Sequence, residues 1–296
     1  MSLRKGRAAY PLLLPTWLAL GIFFLVPLAL MLAVSFAQRG IYGGIEPIDD
    51  LGRYLRSGAF VANYLRSFEW IYLRIGWRSL WMAALTTALC LIVSFPAAYY
   101  LALLAPRRWK GLLLGLVVVP FWTSFLIRTY AWMFILRSEG LLNAVLVGSG
   151  LLDRPLELLY TQAAEMIGLV CGELPFMILP LYASLEKLDR SLLDAAADLG
   201  ASRGQSFWRV TVPLSRAGIA AGIVLVFIPS LGQFVVSDLL GGARGMLLGN
   251  LIQNQFAVAR NKPFGSALAF ELMAVVLALL LAYAVYQKRR GGEELL

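Results

Sequence analysis

The sequence places carboxylates inside long apolar stretches or at their ends, where an ionised side chain is costly unless it is paired or hydrated. Glu173 and Glu271 stand within such stretches, and Asp238 closes another. Acids that face a water-filled cavity would lower the barrier for a cationic amine. Trp122 and Tyr130 would add cation–π contacts to the same ligand. These five residues are the candidates for lining a path for a cation.

A purely structural interpretation of the same residue types stays open. Glu173 or Glu271 would then pair with Arg128 or another basic residue and hold helices together. Arg128 lies about 27 Å along its apolar stretch at 1.5 Å per residue, so its side chain is expected to reach the membrane interface. Glu165, at the start of the same stretch as Glu173, is expected to be an interfacial residue.

Composition excludes several kinds of chemistry. The 296 residues contain no histidine, so an imidazole base, proton shuttle or histidine metal ligand is absent. Both cysteines, Cys90 and Cys171, lie in apolar stretches, where a thiol acts as a small hydrophobic side chain. Neither a G-x-x-x-x-G-K-[ST] loop nor a G-x-G-x-x-G fingerprint occurs in the sequence. The chain is predicted not to be an enzyme and to need no cofactor or metal, and a partner must power any ATP-driven work.

The apolar content predicts a membrane protein. The sequence is 60% hydrophobic and 15% charged, whereas a soluble domain carries about 25% charged residues. The first apolar run follows basic residues but far exceeds the roughly 7–15 residues of a cleavable signal peptide, so it is interpreted as a retained span. The predicted fold is an all-α polytopic membrane protein, a single domain over 1–296 with six transmembrane helices. Its spans are at about 10–36, 77–104, 111–136, 161–186, 216–238 and 264–287.

Prolines interrupt several of these spans. A proline removes one backbone hydrogen bond and tends to kink a helix. Pro175 and Pro180, with Gly168 and Gly172 nearby, predict that the fourth span is the most broken.

Basic residues predict the orientation of the chain, because cytoplasmic loops carry the excess of Lys and Arg. They gather at four places on one side of a six-span chain. The first place contains Arg4, Lys5 and Arg7, and the second contains Arg107, Arg108 and Lys110. The third, near the C-terminus, contains Lys288, Arg289 and Arg290. The fourth is the connection between the fourth and fifth spans. Both termini are therefore predicted to be cytoplasmic, and the net charge of +9 needs no nucleic-acid partner.

The most informative segment is this predicted cytoplasmic loop, at about 187–215. Asp189 or Ser191 is expected to cap a short helix that runs through Leu199, and Gly200 to end it in a left-handed turn. Within charged surroundings the loop displays four apolar side chains, Leu193, Leu199, Phe207 and Trp208. Exposed apolar side chains of this kind mark a protein contact.

The loop resembles the signature of the permease subunits of bacterial ABC importers. That signature is E-A-A, three residues, Gly, nine residues, Ile, one residue and Leu-Pro. At the same spacing this sequence has Asp194-Ala195-Ala196, Gly200, Val210 and Val212-Pro213, with conservative departures only. The resemblance implies that Asp194, Ala195, Ala196 and Gly200 belong to the coupling helices that seat on the ATPase, with Phe207 as an apolar anchor.

Motifs outside the loop resemble the spermidine/putrescine branch of this family. They are Pro120-Phe121-Trp122-Thr123-Ser124, Arg128-Thr129-Tyr130, Leu174-Pro175-Phe176-Met177, Ser237-Asp238-Leu239-Leu240-Gly241-Gly242, Gly249-Asn250, Gln255-Phe256 and Pro263-Phe264-Gly265. Permeases for iron, opines or other small solutes share parts of these motifs. The resemblance implies a bacterial inner-membrane permease that works by alternating access. It also implies its partners, which are two ATPase subunits, a second permease and an extracytoplasmic solute-binding protein.

The segment that follows Asp238 allows two interpretations. Gly241-Gly242, with Asn250 and Gln253 beyond, predicts a turn and a re-entrant outer segment. That segment is either a gate that faces the binding protein or a connection between spans.

Two other classes of protein fit parts of the sequence. A stand-alone ion- or proton-coupled transporter would use the membrane carboxylates but would leave the loop at 187–215 unexplained. A non-transporting membrane scaffold would use that loop to bind a different protein. Co-purification of an ATPase separates both classes from an importer subunit.

Overall fold

The described part of the chain is built from helices and contains no β-strand. The structure is a computed structural model, and it describes residues 10–41, 43–46, 50–242 and 245–291. Its α-helices are α1 Tyr10–Leu20, α2 Val26–Ser35, α3 Leu51–Arg56, α4 Ala62–Ser67, α5 Trp70–Tyr99, α6 Arg107–Trp122, α7 Phe125–Leu136, α8 Leu141–Gly148, α9 Gln162–Glu186, α10 Ser191–Asp198, α11 Arg203–Ser206, α12 Val212–Leu214, α13 Arg216–Gly232, α14 Leu248–Ala257 and α15 Lys262–Gly291. Four π-helical segments lie at Gly21–Leu25, Tyr100–Leu104, Phe207–Thr211 and Ser237–Gly241. The predicted all-α class is confirmed. Arg4, Lys5 and Arg7, which were used to predict the orientation, lie outside the described residues.

Among the described residues, five helical stretches are long and apolar enough to cross a membrane. They are Pro15–Ser35, Trp70–Leu104, Phe125–Gly148, Gln162–Glu186 and Lys262–Val285. A sixth is present if Arg203–Leu214 and Arg216–Gly232, which meet at a bend of 66°, count as one span. The first, second, fourth and sixth predicted spans coincide with four of the five stretches, and the predicted fifth begins at this bend.

The predicted third span, 111–136, differs from the structure. α6 ends at Trp122, the backbone of Thr123 and Ser124 is extended, and α7 starts at Phe125. The carbonyl of Pro120 in the last turn of α6 accepts hydrogen bonds from the Thr123 hydroxyl at 2.8 Å and from Arg128 Nη1 at 2.7 Å. These donors stabilise a helix end that a local apolar pattern does not reveal.

The prediction that the fourth span is the most broken was wrong. α9 continues as one helix through both Pro175 and Pro180. Each proline removes only one backbone hydrogen bond, and packing against neighbouring helices keeps a proline-containing membrane helix intact.

Close packing of α13 on α9 depends on two glycines four residues apart. A Cβ on Gly218 would lie 2.7 Å from the carbonyl oxygen of Pro180, and one on Gly222 would lie 2.5 Å from the sulfur of Met177. Small residues at this spacing let two membrane helices approach until their backbones touch. Sequence reasoning overlooked this Gly-x-x-x-Gly pattern, although the spacing is visible in the sequence.

The chain divides into two compact units, Arg74–Asn250 and Met1–Leu73 with Leu251–Leu296. Two apolar clusters form the core of Arg74–Asn250. The first contains Cys90, Phe95, Ala98, Ala102, Met177, Leu181, Leu185 and Val226, and the second contains Met82, Leu136, Ala164, Leu169, Val236, Leu240 and Leu247. Both α5 and α9 contribute to the two clusters, so these helices connect the core of this unit along its length.

In the other unit, α15 packs against α2 and α4. The Asn63 amide donates to the carbonyls of Ser35 and Ala37 at 2.9 and 2.8 Å and so closes the end of α2. The guanidinium of Arg66 lies 4.7 Å from the ring centre of Phe264 at the start of α15. Polar contacts thus connect the segment 50–72 to the helices on either side of it.

The α9–α13 contact predicts a strong effect of one added methyl group. Gly218→Ala should lower the free energy of unfolding by roughly 1–3 kcal/mol, because the methyl group meets backbone and cannot be accommodated by a rotamer change. Thermal denaturation of the detergent-solubilised protein measures this loss. Gly232→Ala in the same helix is the control, since nothing lies within 4 Å of its added Cβ. Equal stability of the two variants would contradict the packing argument.

Candidate functional site

The loop at 187–215 folds into two helical arms between α9 and α13. α10 forms the first arm, and α11, the π-helical segment Phe207–Thr211 and α12 form the second. A capping box starts the second arm. Ser202 Oγ accepts a hydrogen bond from the backbone N–H of Gln205 at 3.3 Å, and Gln205 Oε1 accepts one from the backbone N–H of Ser202 at 2.9 Å. Beyond α12 the chain turns sharply at Ser215 into α13.

The predicted left-handed end of the first arm at Gly200 is confirmed, while at the start of α10 Arg190 holds the N-cap position and Asp189 binds the first amide of the helix. Asp189 Oδ1 accepts a hydrogen bond from the Ser191 amide at 3.0 Å, and this bond holds the pKa of Asp189 below its usual value. Gly200 has a φ of +80°, in the left-handed region. The amides of Gly200 and Ala201 donate back into the last turn of α10 at 2.9 and 3.0 Å. This pair of bonds is a Schellman motif, which ends a helix sharply.

The two arms expose apolar side chains to the surroundings. Leu199 is 89% exposed and Trp208 is 69% exposed, and Asp194 and Ala195 are exposed beside them on α10. The predicted display of apolar side chains is confirmed for Leu199 and Trp208. Large exposed apolar groups within a polar loop are suited to contact with another protein.

Phe207 differs from the predicted display, because it packs inward. Its ring meets those of Phe95 and Tyr99 edge to face, with ring centres 5.3 and 5.9 Å apart. Val210 and Pro213 are half-buried behind it. Phe207 therefore anchors the loop to the last turns of α5. The sequence did not reveal this, because the aromatic residues that cover Phe207 lie far earlier in the chain.

Asp238 lies at the mouth of a small cavity. The cavity has a volume of about 220 Å³ and is lined by Ser237, Asp238, Gly242, Met246 and Asn250. The Asn250 amide donates to Asp238 Oδ1 at 2.5 Å and to the carbonyl of Phe234 at 2.9 Å. Asp238 itself is exposed. An oriented, exposed carboxylate in a cavity of this size can accept one small cationic group.

Sequence reasoning included Asn250 in a motif but missed it as a site residue. The Asn250 oxygen also accepts from the Leu247 amide at 3.1 Å, so the side chain is fixed from both of its polar ends. The asparagine in the motif Gly249-Asn250 was the available signal in the sequence. The structure shows that this side chain is buried, and no local pattern connects it to Phe234 and Asp238.

The expectation that Glu165 is an interfacial residue was wrong. Its side chain is fully buried, and Arg78 Nη2 lies 3.4 Å from its Oε2. A Cβ on Gly241 or Gly245 would lie 3.0 or 3.3 Å from the carboxyl group of Glu165. Ser237 Oγ donates to the Gly245 carbonyl at 2.5 Å and closes the segment around this carboxylate. The ion pair thus supports the segment that carries Asp238.

Glu173 lies eight residues beyond Glu165 on α9. The side chain is 4% exposed, and its Oε2 has no hydrogen-bond partner among the described residues. Arg128 attracts it electrostatically, but the two charged groups are not within 4.0 Å. Arg128 also corrects a prediction, because its half-buried guanidinium turns back to the end of α6 instead of reaching the interface.

The remaining candidates have separate environments. Glu271 Oε1 accepts a hydrogen bond from Ser67 Oγ at 2.5 Å, a pairing that sequence reasoning did not consider. Trp122 is 86% exposed and Tyr130 is 45% exposed. Neither aromatic ring stacks on another ring or on a cation in the part of the chain that the structure describes. The described residues also contain no cluster of three potential metal ligands.

Comparison with known proteins identifies relatives of the whole chain. Residues 94–290 match the family described as "Binding-protein-dependent transport system inner membrane component". The spermidine/putrescine transport system permease protein PotB of Haemophilus influenzae is 42% identical over 90% of this chain and 89% of its own length. PotB of Escherichia coli K12 is 42% identical over 90% and 92%. The inner membrane ABC transporter permease protein YdcU of Escherichia coli K12 is 33% identical over 85% and 82%.

Solved structures share the fold at lower sequence identity. A chain of a bacterial ABC transporter involved in the import of the acidic polysaccharide alginate has a TM-score of 0.72 at 17% identity, with 97% of each chain covered. A chain of the MetNI methionine ABC transporter has a TM-score of 0.53 at 19% identity, covering 72% of this chain and 93% of its own. The helical arrangement is therefore one that occurs in transporters of very different solutes.

Proposed function

Because the chain belongs to the family of binding-protein-dependent transport system inner membrane components, we propose that it is the permease through which an ABC importer takes up spermidine or putrescine. It is a transport subunit and not an enzyme, and ATP is hydrolysed by separate ATPase subunits. A second permease subunit and a solute-binding protein complete the importer. The observation that carries the polyamine assignment is the extensive identity to the two PotB permeases.

The charge of the candidate site supports a cationic solute. The fold alone does not select the substrate, since a chain with a similar backbone belongs to an importer of an acidic polysaccharide. Selection must come from the side chains that the solute meets. Asp238, exposed and oriented by Asn250, offers a carboxylate to one ammonium group of a polyamine.

The path continues inward from Asp238 in this proposal. Glu173 is a buried carboxylate with one unpartnered oxygen, so a passing ammonium group would satisfy it. Trp122 and Tyr130 complete the proposed path, and their rings lie on an exposed surface that a second permease would cover. Glu271, which binds Ser67 in the other unit, is proposed as a separate contact for the solute.

The chain is a single permease domain over 1–296 in this proposal, in the bacterial inner membrane. Both termini and the loop at 187–215 face the cytoplasm, because basic residues gather on that side. Asp238 and its cavity then face the solute-binding protein outside.

The loop at 187–215 is the proposed contact with the ATPase. Asp194, Ala195, Ala196 and Gly200 form the docking surface together with the exposed Leu199. Phe207, Val210 and Pro213 hold the second arm against the bundle. The sharp turn at Gly200 supports this role, because it presents α10 as a short rigid element.

Uptake measurements test the proposed substrate. Cells that contain the partner subunits should accumulate labelled spermidine or putrescine only when this chain is present, and an anionic solute should not be accumulated. Uptake that is unchanged without the chain, while an ATPase still co-purifies with it, would overturn the polyamine assignment and leave the importer family intact.

The left-handed turn at Gly200 predicts a loss of coupling on substitution. Gly200→Val should reduce uptake roughly tenfold at unchanged membrane insertion, since a non-glycine residue in this conformation costs about 1–2 kcal/mol. The ATP hydrolysed per solute transported should rise. The control is Gly204→Val, four residues along, where φ is not left-handed and nothing lies within 4 Å of the added Cβ. Normal uptake by the Gly200 variant would remove the loop from the coupling role.

Neutral replacements of the two acids should weaken uptake without affecting ATPase binding. Asp238→Asn or Glu173→Gln should raise the half-saturating polyamine concentration by about tenfold, because each variant loses a charge-assisted contact. Asp153→Asn and Glu157→Gln alter exposed acids and are the matched controls. Uptake kinetics that stay the same in both test variants would remove these acids from the path.

A further inference from the structure

The helix Trp70–Leu104 ends in a π-helical turn beside the loop, and two carbonyls of this turn have no hydrogen-bond partner within the helix. The Ala105 amide closes this turn by donating to the carbonyl of Tyr100 at 2.7 Å. The carbonyls of Ala102 and Leu103, further along the same turn, belong to the group at a helix end that has no partner within the helix. Both need donors from elsewhere.

Two basic side chains supply these donors from different segments. Lys110 Nζ, in the first turn of α6, donates to the carbonyl of Ala102 at 2.6 Å. Arg190 Nη2, directly before α10, donates to the carbonyl of Leu103 at 2.8 Å. Cations are favoured at this end of a helix because the helix dipole is negative there.

The last residue of α9 joins the same group. Glu186 Oε1 lies 3.9 Å from Lys110 Nζ and accepts a hydrogen bond from the Tyr182 hydroxyl at 2.5 Å. We refer to Ala102, Leu103, Lys110, Glu186 and Arg190 as the junction. It connects the end of α5, the start of α6, the end of α9 and the start of α10.

Phe207 attaches the other arm of the loop to the same helix. Its ring packs on Phe95 and Tyr99, about one to two turns before the carbonyls of the junction. The arm that contains α10 and the arm that contains α11 are thus both bound to the last turns of one helix. Two such points of attachment are therefore expected to pass movement of the loop to that helix end.

We propose that Arg190 and Phe207 transmit movement of the ATPase-bound loop to the second transmembrane helix, Trp70–Leu104. Arg190 is a positioning residue that ties α10 to the π-helical turn, and Phe207 ties the second arm to the turns before it. π-Helical turns are frequent at functional sites, and Tyr100–Leu104 is such a turn at the end of this helix. The inference rests on the proposed contact between the loop and the ATPase.

Variants of Arg190 in the reconstituted importer test the transmission. Arg190→Gln should lower uptake roughly tenfold, because a charge-assisted hydrogen bond is lost, while ATP hydrolysis and ATPase co-purification persist. Arg190→Lys should keep most of the uptake, since it retains the charge. Arg203→Gln is the matched control, since Arg203 is an exposed arginine of the same loop whose side chain makes no hydrogen bond or ion pair among the described residues. Parallel loss of hydrolysis and uptake, or no rescue by lysine, would overturn the proposal.

Hydrogen exchange provides a readout that does not depend on the solute. Trapping with ATP and vanadate should change the protection of the amides of 100–105 in the unmodified importer and in Arg190→Lys. In Arg190→Gln that change should disappear, while the change in 191–198 on ATPase docking remains. An undiminished change at 100–105 in Arg190→Gln would refute transmission through Arg190. A wild-type importer that shows these changes without polyamine uptake would refute only the proposed substrate.

Discussion

A backbone carbonyl that loses its helical partner within a membrane must find another donor, because the hydrocarbon contains no water. This constraint explains where the polar side chains of the bundle lie. Arg128 donates to the end of α6, and Lys110 and Arg190 donate to the end of the helix Trp70–Leu104. Asn250 donates to a carbonyl just beyond α13. These interruptions each bring a polar group to a defined place, and the segment with Asp238 and the contacts of the loop at 187–215 lie at such places.

The same constraint separates the two buried acids of α9. Glu165 has a guanidinium 3.4 Å from its Oε2 and a segment of backbone closed around it, although its Oε1, like one oxygen of Glu173, has no hydrogen-bond partner among the described residues. Glu173 lies deeper, with one oxygen unpartnered and its attracting arginine beyond 4.0 Å. A buried carboxylate without full compensation is costly to keep, and its retention is explained best by a ligand that pairs with it. Two residues of the same type on one helix thus have a supporting role and a proposed transport role.

Close backbone contact at Gly218 and Gly222 gives the bundle a rigid centre in α9 and α13. The functional segments lie at the two ends of this pair. α9 and α13 are connected by the loop at 187–215, and the segment with Asp238 follows α13. A rigid pair of helices between the proposed docking loop and the proposed solute site suits a permease that must link the two. The side chains at each end, rather than the shared backbone, then determine the solute and the partner.

The sequence alone determined the membrane class, most span positions and the left-handed end of α10, because these properties depend on apolar length and on residues adjacent in the chain. The left-handed Gly200 was predictable for this reason. Only the tertiary structure decided that Glu165 is buried, that Phe207 packs inward and that Arg128 turns back to α6. Those outcomes depend on partners such as Arg78 and Phe95. The partners of Glu165 and Phe207 lie far away in sequence, and that of Arg128 arises only where a helix ends. Burial and pairing are properties of the surroundings that helices create when they pack, and a local pattern of residue types does not contain them.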